Sequence, residues 1–262
     1  MIDTHCHLTY KELSGKVEEV VAGAREAGLV AMISVGTSPG DAKAARALAE
    51  RFADVYFTVG VHPLHSAEVT EAELAELPGV AGHEKCVAFG EMGLDYHYDE
   101  PERGLQRRYF EAQLGMVRAW VGASGGGGKA VVIHSRKATD DTLAVLRASG
   151  VAMDRVVYHC FTESPEDCRK VLDAGCMVSF TGIVTYKNAP EVRASAMLVP
   201  WDRIMVETDS PYLAPEPHRK VRPNEPKFVT ATARFLAELR GEDWGEFDRR
   251  TDGNARRFFG LK

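Results

Sequence analysis

Residues 155–182 carry the sequence RVVYHCFTESPEDCRKVLDAGCMVSFTG, which predicts a strand, a helix and a second strand in direct succession. The two outer runs are rich in Val, Phe and Met without strict alternation, a pattern typical of strands buried on both faces of a parallel sheet. Between them, Ser164 is a candidate N-cap, Pro165 takes the first helical position and Gly175 marks the helix stop. The stretch therefore indicates a β-α-β unit.

The same alternation of strand and helix recurs along the whole chain. Eight short β-rich runs can be counted, and they are MIDTHCH (1–7), LVAMISVGT (29–37), VYFTVGVHP (55–63), CVAFGEMGLD (86–95), AVVIHSR (130–136), RVVYHCF (155–161), CMVSFTG (176–182) and RIMVETDSPY (203–212). Helical patterns separate them, for example TEAELAEL, which opens with a capping box of Thr70 and Glu73. Eight strands that alternate with helices in 262 residues predict an α/β fold, a single (β/α)8 TIM barrel over residues 1–262. The run ASGGGG at 123–128 is interpreted as a surface loop on the N-terminal rim.

The composition restricts the class of protein and its compartment. The five cysteines are odd in number and form no CxxC pair, which argues against a disulfide framework and fits a reducing cytosol. No signal-peptide pattern precedes Asp3, and no apolar run approaches the roughly 18 residues that span a membrane. The net charge of −6 is not that of a general nucleic-acid coat protein, although divalent metals in a nuclease site would add local positive charge. We therefore expect a cytoplasmic monomer with neither a membrane partner nor an obligatory protein partner.

Metal-ligating residue types follow the predicted strands, and catalytic groups in TIM barrels sit at the C-terminal strand ends. The first strand ends in His5 and His7, which share one face because side chains two residues apart point the same way. Cys6 between them turns to the barrel wall. The other strand ends carry, in chain order, His62, Glu91, His134, His159 and Asp209. The sequence therefore predicts a metal site at the C-terminal mouth of the barrel.

The size of this ligand set indicates more than one ion. With His62 set aside, four imidazoles and two carboxylates remain, which is too many for one ion that keeps an open position. They suit two ions bridged by a carboxylate, since two metals about 3.5–4 Å apart can activate water and clamp both oxygens of a phosphoryl transfer. Mixed nitrogen and oxygen ligands do not identify the metal, so Mg²⁺, Mn²⁺ and Zn²⁺ all remain open.

A series of motifs extends from Asp3 to about Pro226, and the closing segment GNARRFFGL fits the same pattern. The motifs are DTHCHL, VGVHP, GEMGLDYH, IHSR, HCF, SFTGIVTYK, ETDSPYLAP and RPNEP. In this order they resemble the TatD family of metal-dependent deoxyribonucleases, which belongs to the amidohydrolase superfamily of TIM-barrel hydrolases. The resemblance covers nearly the whole chain, and no single motif carries it.

The resemblance implies a role for each predicted ligand. One ion would be held by residues that follow the first and last strands, namely His5, His7 and Asp209. The second ion would be held by residues of the fifth and sixth strands, namely His134 and His159. Glu91 would bridge the two ions, which disfavours relatives that use a carboxylated lysine, such as lactonases and dihydroorotases. Water activated by the metals would be the nucleophile, with Glu91 and Asp209 catalytic, and Mg²⁺ or Mn²⁺ is expected in turnover with Zn²⁺ as the alternative.

Four further residues are predicted to contact the substrate. His62 could meet a substrate phosphate or orient a metal ligand. Arg136 resembles a phosphate anchor, a role that its guanidinium fork suits. The segment PHRKVRPNEP departs from the usual family pattern but stays basic, so Arg219 and Arg222 are predicted to contact phosphates there.

Three other residues lie next to these motifs. Asp95 and His97 follow Glu91, and they could support either the metal ligands or the loop itself. Tyr212 follows the last strand, and we expect it to be architectural.

Three hypotheses for the activity follow from the sequence. The leading one is a metal-dependent deoxyribonuclease that hydrolyses DNA phosphodiester bonds, exonucleolytically on single-stranded or frayed ends. The second keeps the same site for an ester or amide, as in a D-aminoacyl-tRNA deacylase, because metal-activated water attacks carbonyl carbon and phosphorus alike. The third, a binder whose metals only stabilise the fold, is disfavoured because structural metal sites are usually closed and saturated.

Overall fold

The strands of the molecule follow the predicted runs in order. The computed structural model describes residues 1–123 and 128–261, which include β1 (Ile2–Cys6), β2 (Ala31–Ser34), β3 (Val55–Val59), β4 (Cys86–Asp95), β5 (Ala130–Arg136), β6 (Val156–Tyr158), β7 (Met177–Phe180) and β8 (Ile204–Val206). Each strand pairs in parallel with the next along the chain. The backbone just after β8 also meets β1, since Asp209 N donates to His5 O over 2.8 Å and His7 N donates to Ser210 O over 2.7 Å. These bonds close a parallel barrel, so the predicted TIM-barrel fold is confirmed.

Helices follow each strand along the chain, and the last two come after β8. Those described are α1 (Lys11–Ser14), α2 (Val17–Glu26), α3 (Pro39–Arg51), α4 (Glu71–Leu74), α5 (Leu77–Ala81), α6 (Arg103–Ala123), α7 (Thr139–Ser149), α8 (Pro165–Asp173), α9 (Pro190–Leu198), α10 (Val229–Arg240) and α11 (Trp244–Phe259). Short 3₁₀ turns occur at Pro63–His65, Met153–Arg155, Gly182–Thr185 and Pro226–Phe228. The length and apolarity needed to cross a membrane are found in none of the helices described above. Most of the run predicted as a surface loop, at 123–128, lies outside the described residues.

The predicted signals for the ends of α8 are confirmed. Ser164 is the N-cap, because its Oγ accepts a hydrogen bond from Asp167 N over 3.1 Å, and Pro165 takes the first helical position. The helix ends at Asp173. Gly175 follows with a φ of +100°, a left-handed conformation that glycine adopts without steric cost.

The segment TEAELAEL keeps its predicted cap but not its predicted length. Thr70 and Glu73 form both bonds of the capping box at the start of α4. That helix ends at Leu74, however, and a second short helix begins at Leu77 with Pro78 in its first turn. Proline suits the start of a helix rather than its interior, which explains why the segment divides there.

Apolar residues pack in two layers, one outside the barrel and one inside it. The outer layer fills the space between strands and helices, and Phe57 is among its largest fully buried members. The inner layer joins strand residues such as Ile33 and Val132 to Phe258 and Phe259 of α11. Because strand residues near the N-terminal ends belong to this inner layer, α11 covers that end of the barrel. The C-terminal mouth is therefore the end left for polar side chains.

The β4–β5 ladder corrects one prediction about the site. The predicted run at 86–95 coincides with β4, but the placement of Glu91 at the end of that strand is wrong, because β4 continues to Asp95. The register between the two strands shifts between Phe89 and Met92, and the pairing then resumes as far as Asp95 opposite Arg136. Glu91 therefore lies inside a strand, at a local irregularity of the ladder.

The β1–β2 ladder has a similar irregularity beside the first two histidines. Its register shifts between Asp3 and Cys6, next to His5. Such irregularities re-aim side chains and are common beside active sites. Cys6 is fully buried in the outer layer, with its Sγ 3.3 Å from Ile33 O, which confirms that it faces the barrel wall.

Candidate metal centre

A cleft of about 580 Å³ opens at the C-terminal mouth of the barrel. Its size is within the usual range of small-ligand pockets. Histidine, carboxylate and tyrosine side chains dominate its polar lining, which includes His7, Tyr10, His62, His65, Glu91, Asp95, Tyr98, His134, Arg136, His159, Asp209 and Tyr212. The strand ends thus bring the residues predicted to bind metal to a single place.

Glu91 lies at the centre of this cluster and contacts four imidazoles. Its Oε1 lies 2.7 Å from His159 Nε2, 2.9 Å from His134 Nδ1 and 3.3 Å from His62 Nε2. Its Oε2 lies 3.3 Å from His5 Nε2. The carboxylate is almost fully buried, so its charge depends on these imidazoles, or on cations held between them, for compensation.

Asp209 forms the second half of the cluster. Its Oδ1 lies 3.2 Å from His7 Nε2 and 3.7 Å from His5 Nε2, and the two imidazole Nε2 atoms are 3.3 Å apart. His5 stacks on His159, with ring centroids 3.9 Å apart, and so joins this half to the side chains around Glu91. The structure therefore brings all six predicted ligands together.

The donor atoms of the cluster fit divalent metal ions. Three overlapping groups have ligand atoms within 4.8 Å of one another, and they are His5, His159 and Asp209; His5, His7 and Glu91; and His62, Glu91 and His134. Burial and the neighbouring His159 lower the pKa of His5, so its imidazole is neutral and keeps a free lone pair. Burial alone would raise the pKa of Glu91, but the charge of His159 holds it well below its usual value. Zn²⁺ takes neutral imidazoles and ionised carboxylates, whereas Mn²⁺ and Mg²⁺ favour carboxylates. Burial alone would lower the pKa of His159, but the charge of Glu91 holds it well above its usual value, so this imidazole would release its proton when an ion binds.

A second carboxylate contacts the ring nitrogen of His134 that does not face Glu91, and it fixes the orientation of the ring. His134 turns its Nδ1 toward Glu91, while its Nε2 lies 2.9 Å from Asp95 Oδ2. A carboxylate behind a metal-binding histidine sets the tautomer and raises the basicity of the ligand nitrogen. Of the two roles left open for Asp95, the geometry favours support of a ligand. His97 contributes a backbone N–H to Asp95 Oδ1, which is a role in the loop.

Sequence reasoning missed Glu207, which holds the corresponding place behind His159. Glu207 Oε1 lies 3.5 Å from His159 Nδ1 and accepts a hydrogen bond from Cys160 N over 2.6 Å. Its Oε2 accepts from Ser179 Oγ over 2.7 Å. Its position two residues before Asp209, with the same spacing as His5 and His7, was a signal that could have found it.

Two supports of the first strand were missed as well. Asp3 Oδ1 accepts from the backbone N of His5 over 3.3 Å and from that of Thr208 over 2.9 Å, which ties β1 to the segment after β8. Tyr10 stacks on His7, with ring centroids 4.5 Å apart. Asp3 also stands two residues before a ligand, so the same spacing marks it in the sequence.

His62 lies in the cluster but is oriented as a donor rather than as a ligand. Its Nδ1 accepts the backbone N–H of Leu64 over 3.1 Å. Burial lowers the pKa of His62 to about 4, so the ring is neutral and its Nε2 carries the hydrogen. That Nε2–H faces Glu91, His134 and the open cleft. The sequence prediction gave His62 no metal of its own, but His62 belongs to one of the three groups whose ligand atoms lie within 4.8 Å of one another, so its role stays a prediction.

The three predicted arginines are placed differently from one another. Arg136 lines the cleft and lies 5.6 Å from the ring centroid of Tyr98. Arg219 lies 3.9 Å over the ring of Tyr186, and Arg222 donates to the backbone carbonyl of Arg219. Neither Arg219 nor Arg222 is among the residues that line the cleft, so any contact with a bound phosphate would be made outside it.

Tyr212 differs from its expected architectural role. Its side chain is 51% exposed at the mouth of the cleft, and its ring meets Tyr10 edge-on at 6.2 Å. Its backbone, by contrast, is firmly held, because Tyr212 N donates to Asp209 O over 3.0 Å and Asn224 Nδ2 donates to Tyr212 O. The segment is architectural, but the ring that it carries faces the cleft.

Comparisons with known proteins identify the family of the chain. The family model described as TatD related DNase matches residues 2–260. The uncharacterized metal-dependent hydrolase YcfH of Escherichia coli K12 is 39% identical over 263 residues, which cover 99% of this chain and 95% of that protein. A protein of Erwinia billingiae named 3′-5′ ssDNA/RNA exonuclease TatD is 34% identical over 266 residues, covering 100% of this chain and 99% of that protein.

A solved structure gives the same result. The crystal structure of YJJV, a TatD homolog from Escherichia coli K12, superimposes with a TM-score of 0.91 at 26% identity, and the match covers 100% of this chain and 98% of that one. The fold, the ligand cluster and the sequence relatives therefore all indicate a metal-dependent hydrolase. The chain belongs to the TatD-related DNase family and is a metal-dependent hydrolase.

Proposed function

We propose that this hydrolase cleaves phosphodiester bonds of DNA and works exonucleolytically on single-stranded or frayed ends. The observation that carries the proposal is the contact of one buried carboxylate, Glu91, with four imidazoles, while Asp209 faces it across the same cleft. Two related proteins named as 3′-5′ ssDNA/RNA exonucleases support the choice of substrate. A cytoplasmic location and a monomeric state stay predictions.

Two divalent ions would be held by the six clustered ligands. His5, His7 and Asp209 would hold one ion. His134 and His159 would hold the second, with Glu91 between the two. When bound, divalent ions acidify water and neutralise the charge of a phosphodiester. Mg²⁺ or Mn²⁺ is the expected metal in turnover, with Zn²⁺ as the alternative.

The chain's own residues supply the remaining functions of such a site. Asp209 lines the cleft next to His7, so its carboxylate would stand beside an attacking water and take its proton. The His62 Nε2–H can donate to a phosphate oxygen in the cleft. Arg136, also on the cleft, can pair with a phosphate through its planar fork. Arg219 would meet the DNA backbone farther out, with Arg222 beside it.

A strip-and-restore assay tests the proposal. Metal is removed by chelation, and Mg²⁺, Mn²⁺ or Zn²⁺ is then added separately to samples containing an end-labelled single-stranded oligonucleotide. We expect a ladder that shortens one nucleotide at a time, only with metal. Glu91→Gln is expected to lower the rate at least about a hundredfold, more than the loss of a group behind a ligand costs. Glu111→Gln, an exposed glutamate of α6, is the matched control and should keep full activity.

The contrary results of this assay are also informative. An intact oligonucleotide with every metal would reject the nuclease, and a mischarged D-aminoacyl-tRNA would then be the next substrate, because the same centre could cleave its ester. Cleavage that continues at the full rate in Glu91→Gln would reject the assigned centre, whatever the substrate.

A further inference from the structure

Two half-exposed tyrosines stand at the mouth of the cleft. Among the described Phe, Tyr and Trp side chains, the most exposed are Tyr98 at 49%, Tyr212 at 51% and Trp201 at 55%. Tyr98 and Tyr212 both line the cleft, whereas Trp201 precedes β8 and so lies toward the opposite end of the barrel. Exposed aromatic rings are thus concentrated beside the metal ligands, where an apolar surface needs an explanation.

The barrel places these two rings on opposite sides of the mouth. Tyr98 follows β4 and Tyr212 follows β8. The strands are ordered β1 to β8 around the barrel, so β4 and β8 are four positions apart and face each other across its axis. Both rings also line the cleft, so they border its opening from the sides of β4 and β8.

Each ring is linked to the interior of the cleft. Tyr212 meets Tyr10 edge-on, and Tyr10 in turn stacks on His7, so aromatic rings lead from the surface to a metal ligand. Tyr98 has the guanidinium of Arg136 5.6 Å from its ring centroid. An aromatic face next to a cation is the combination that binds a base and its phosphate in single-stranded nucleic acids.

We propose that Tyr98 and Tyr212 stack on unpaired bases at the end of the substrate strand, one ring on each side of the mouth. This inference rests on the proposed nuclease function and names the form of DNA that the site accepts. Any of the four bases can stack on such a ring, so binding does not depend on the DNA sequence. Within a duplex the base faces are covered by their neighbours, so the end must fray before both rings can engage. Arg136 then holds the phosphate next to the base stacked on Tyr98.

The test compares a normal strand end with one that lacks bases. One oligo-dT substrate has an intact end at the side that the enzyme degrades, and the other has tetrahydrofuran residues in place of the last two nucleosides, which keep the phosphates. Wild type, Tyr98→Ala, Tyr212→Ala, and the Phe variants of both positions are assayed for KM and kcat. Trp201→Ala is the matched control, an equally exposed ring away from the cleft.

If the rings stack on bases, removing a ring from the protein and removing the bases from the substrate should affect KM through the same contact. Loss of one stacked base costs about five- to hundredfold, and the base-free end loses two, so it should raise KM of the wild type at least about 25-fold. Each alanine variant keeps one of the two rings, so it should show a rise of about five- to hundredfold with the normal end and a further rise with the base-free end that is smaller than that of the wild type by the same factor. Both Phe variants and Trp201→Ala should behave like the wild type. Equal discrimination by wild type and alanine variants, or Phe variants as impaired as alanine ones, would overturn the stacking role.

A binding measurement separates this inference from the proposed function. Fluorescence anisotropy of the same two oligonucleotides, with the metals chelated, reports stacking without cleavage. If the wild type cleaves nothing but Tyr212→Ala weakens binding of the normal end alone, the stacking role stands and the nuclease assignment fails. If the wild type cleaves DNA while no variant changes the preference for the normal end, the nuclease stands and the stacking role fails. If the wild type neither cleaves nor binds the oligonucleotides, both proposals fail.

Discussion

Glu207 is almost fully buried directly after β8, where it accepts hydrogen bonds from Cys160 N and Ser179 Oγ and lies 3.5 Å from His159 Nδ1. We predict that Glu207→Gln weakens metal binding about 10- to 100-fold, the usual cost of changing a carboxylate behind a metal-binding histidine. The reason is that an amide NH₂ replaces one of the two acceptor oxygens and must face a donor or His159. Competition between the protein and a chromogenic chelator measures the affinity.

Two controls keep the Glu207 prediction specific. Glu111→Gln, on the exposed face of α6, should leave the affinity unchanged. Urea denaturation of the chelated proteins should show that Glu207→Gln still folds cooperatively, so that a weaker site is not a consequence of unfolding. An affinity equal to that of the wild type would show that Glu207 has only a structural role in tying β8 to β7.

Gly93 controls how the second half of β4 approaches β5. Its φ is +145°, and a Cβ at this position would lie 1.9 Å from the carbonyl oxygen of His134. We predict that Gly93→Ala lowers the free energy of unfolding by at least about 3 kcal/mol, since backbone strain of about 1–3 kcal/mol adds to the displacement of β5. His134 would move with its carbonyl, so metal affinity should fall as well. Urea denaturation and the chelator competition test the two effects.

Gly115→Ala is the matched control for Gly93→Ala, and it should raise the free energy of unfolding instead of lowering it. Gly115 lies on the exposed side of α6, and a Cβ there would meet nothing within 4 Å. Gly115→Ala should therefore stabilise the protein by about 0.5–1 kcal/mol, as expected for a helix interior, and leave metal affinity unchanged. If Gly93→Ala were as well tolerated as Gly115→Ala, the close approach of β4 and β5 would not be required.

Local signals in the sequence explain why some elements were predicted closely and others were not. Ser164 and Thr70 cap their helices as predicted because the bonds involve only residues three positions away. The register shifts that orient His5 and Glu91 depend on pairing with strands far along the chain, which no local pattern encodes. The predicted run 86–95 has the bounds of β4, but the register shift beside Glu91 could not be predicted from it.

At the scale of the whole molecule, the fold itself made the candidate site predictable. In a parallel barrel all strands finish at the same end, so ligand types at several strand ends must converge. What the sequence could not give was the path of the loops and the burial behind the ligands. Arg136 is the last residue of β5 and lines the cleft. Arg219 and Arg222 lie on a long loop after β8 and are not among the residues that line it. The spacing of Glu207 from Asp209 is visible in the sequence, but it does not show that the side chain is buried behind His159.

The metal centre is also expected to hold the barrel together. Its six ligands lie in or shortly after β1, β4, β5, β6 and β8, so bound ions would join five of the eight strands. An ion that binds only the folded chain stabilises it by about 2.7 kcal/mol per site when its free concentration is 100 times Kd. For a chain of this size that corresponds to a rise of roughly 5 to 10 °C in Tm.

Thermal unfolding of the chelated protein, followed as Mg²⁺, Mn²⁺ or Zn²⁺ is added, measures this rise. Tm should increase with the logarithm of metal concentration once the site begins to fill. Gly115→Ala should shift the whole curve upward without changing its onset, because it alters stability but not affinity. Glu207→Gln should move the onset to a 10- to 100-fold higher concentration, as its weaker site requires. A Tm that is independent of every metal would mean that the six ligands do not bind these ions in the folded state, and the metal assignment would then be wrong.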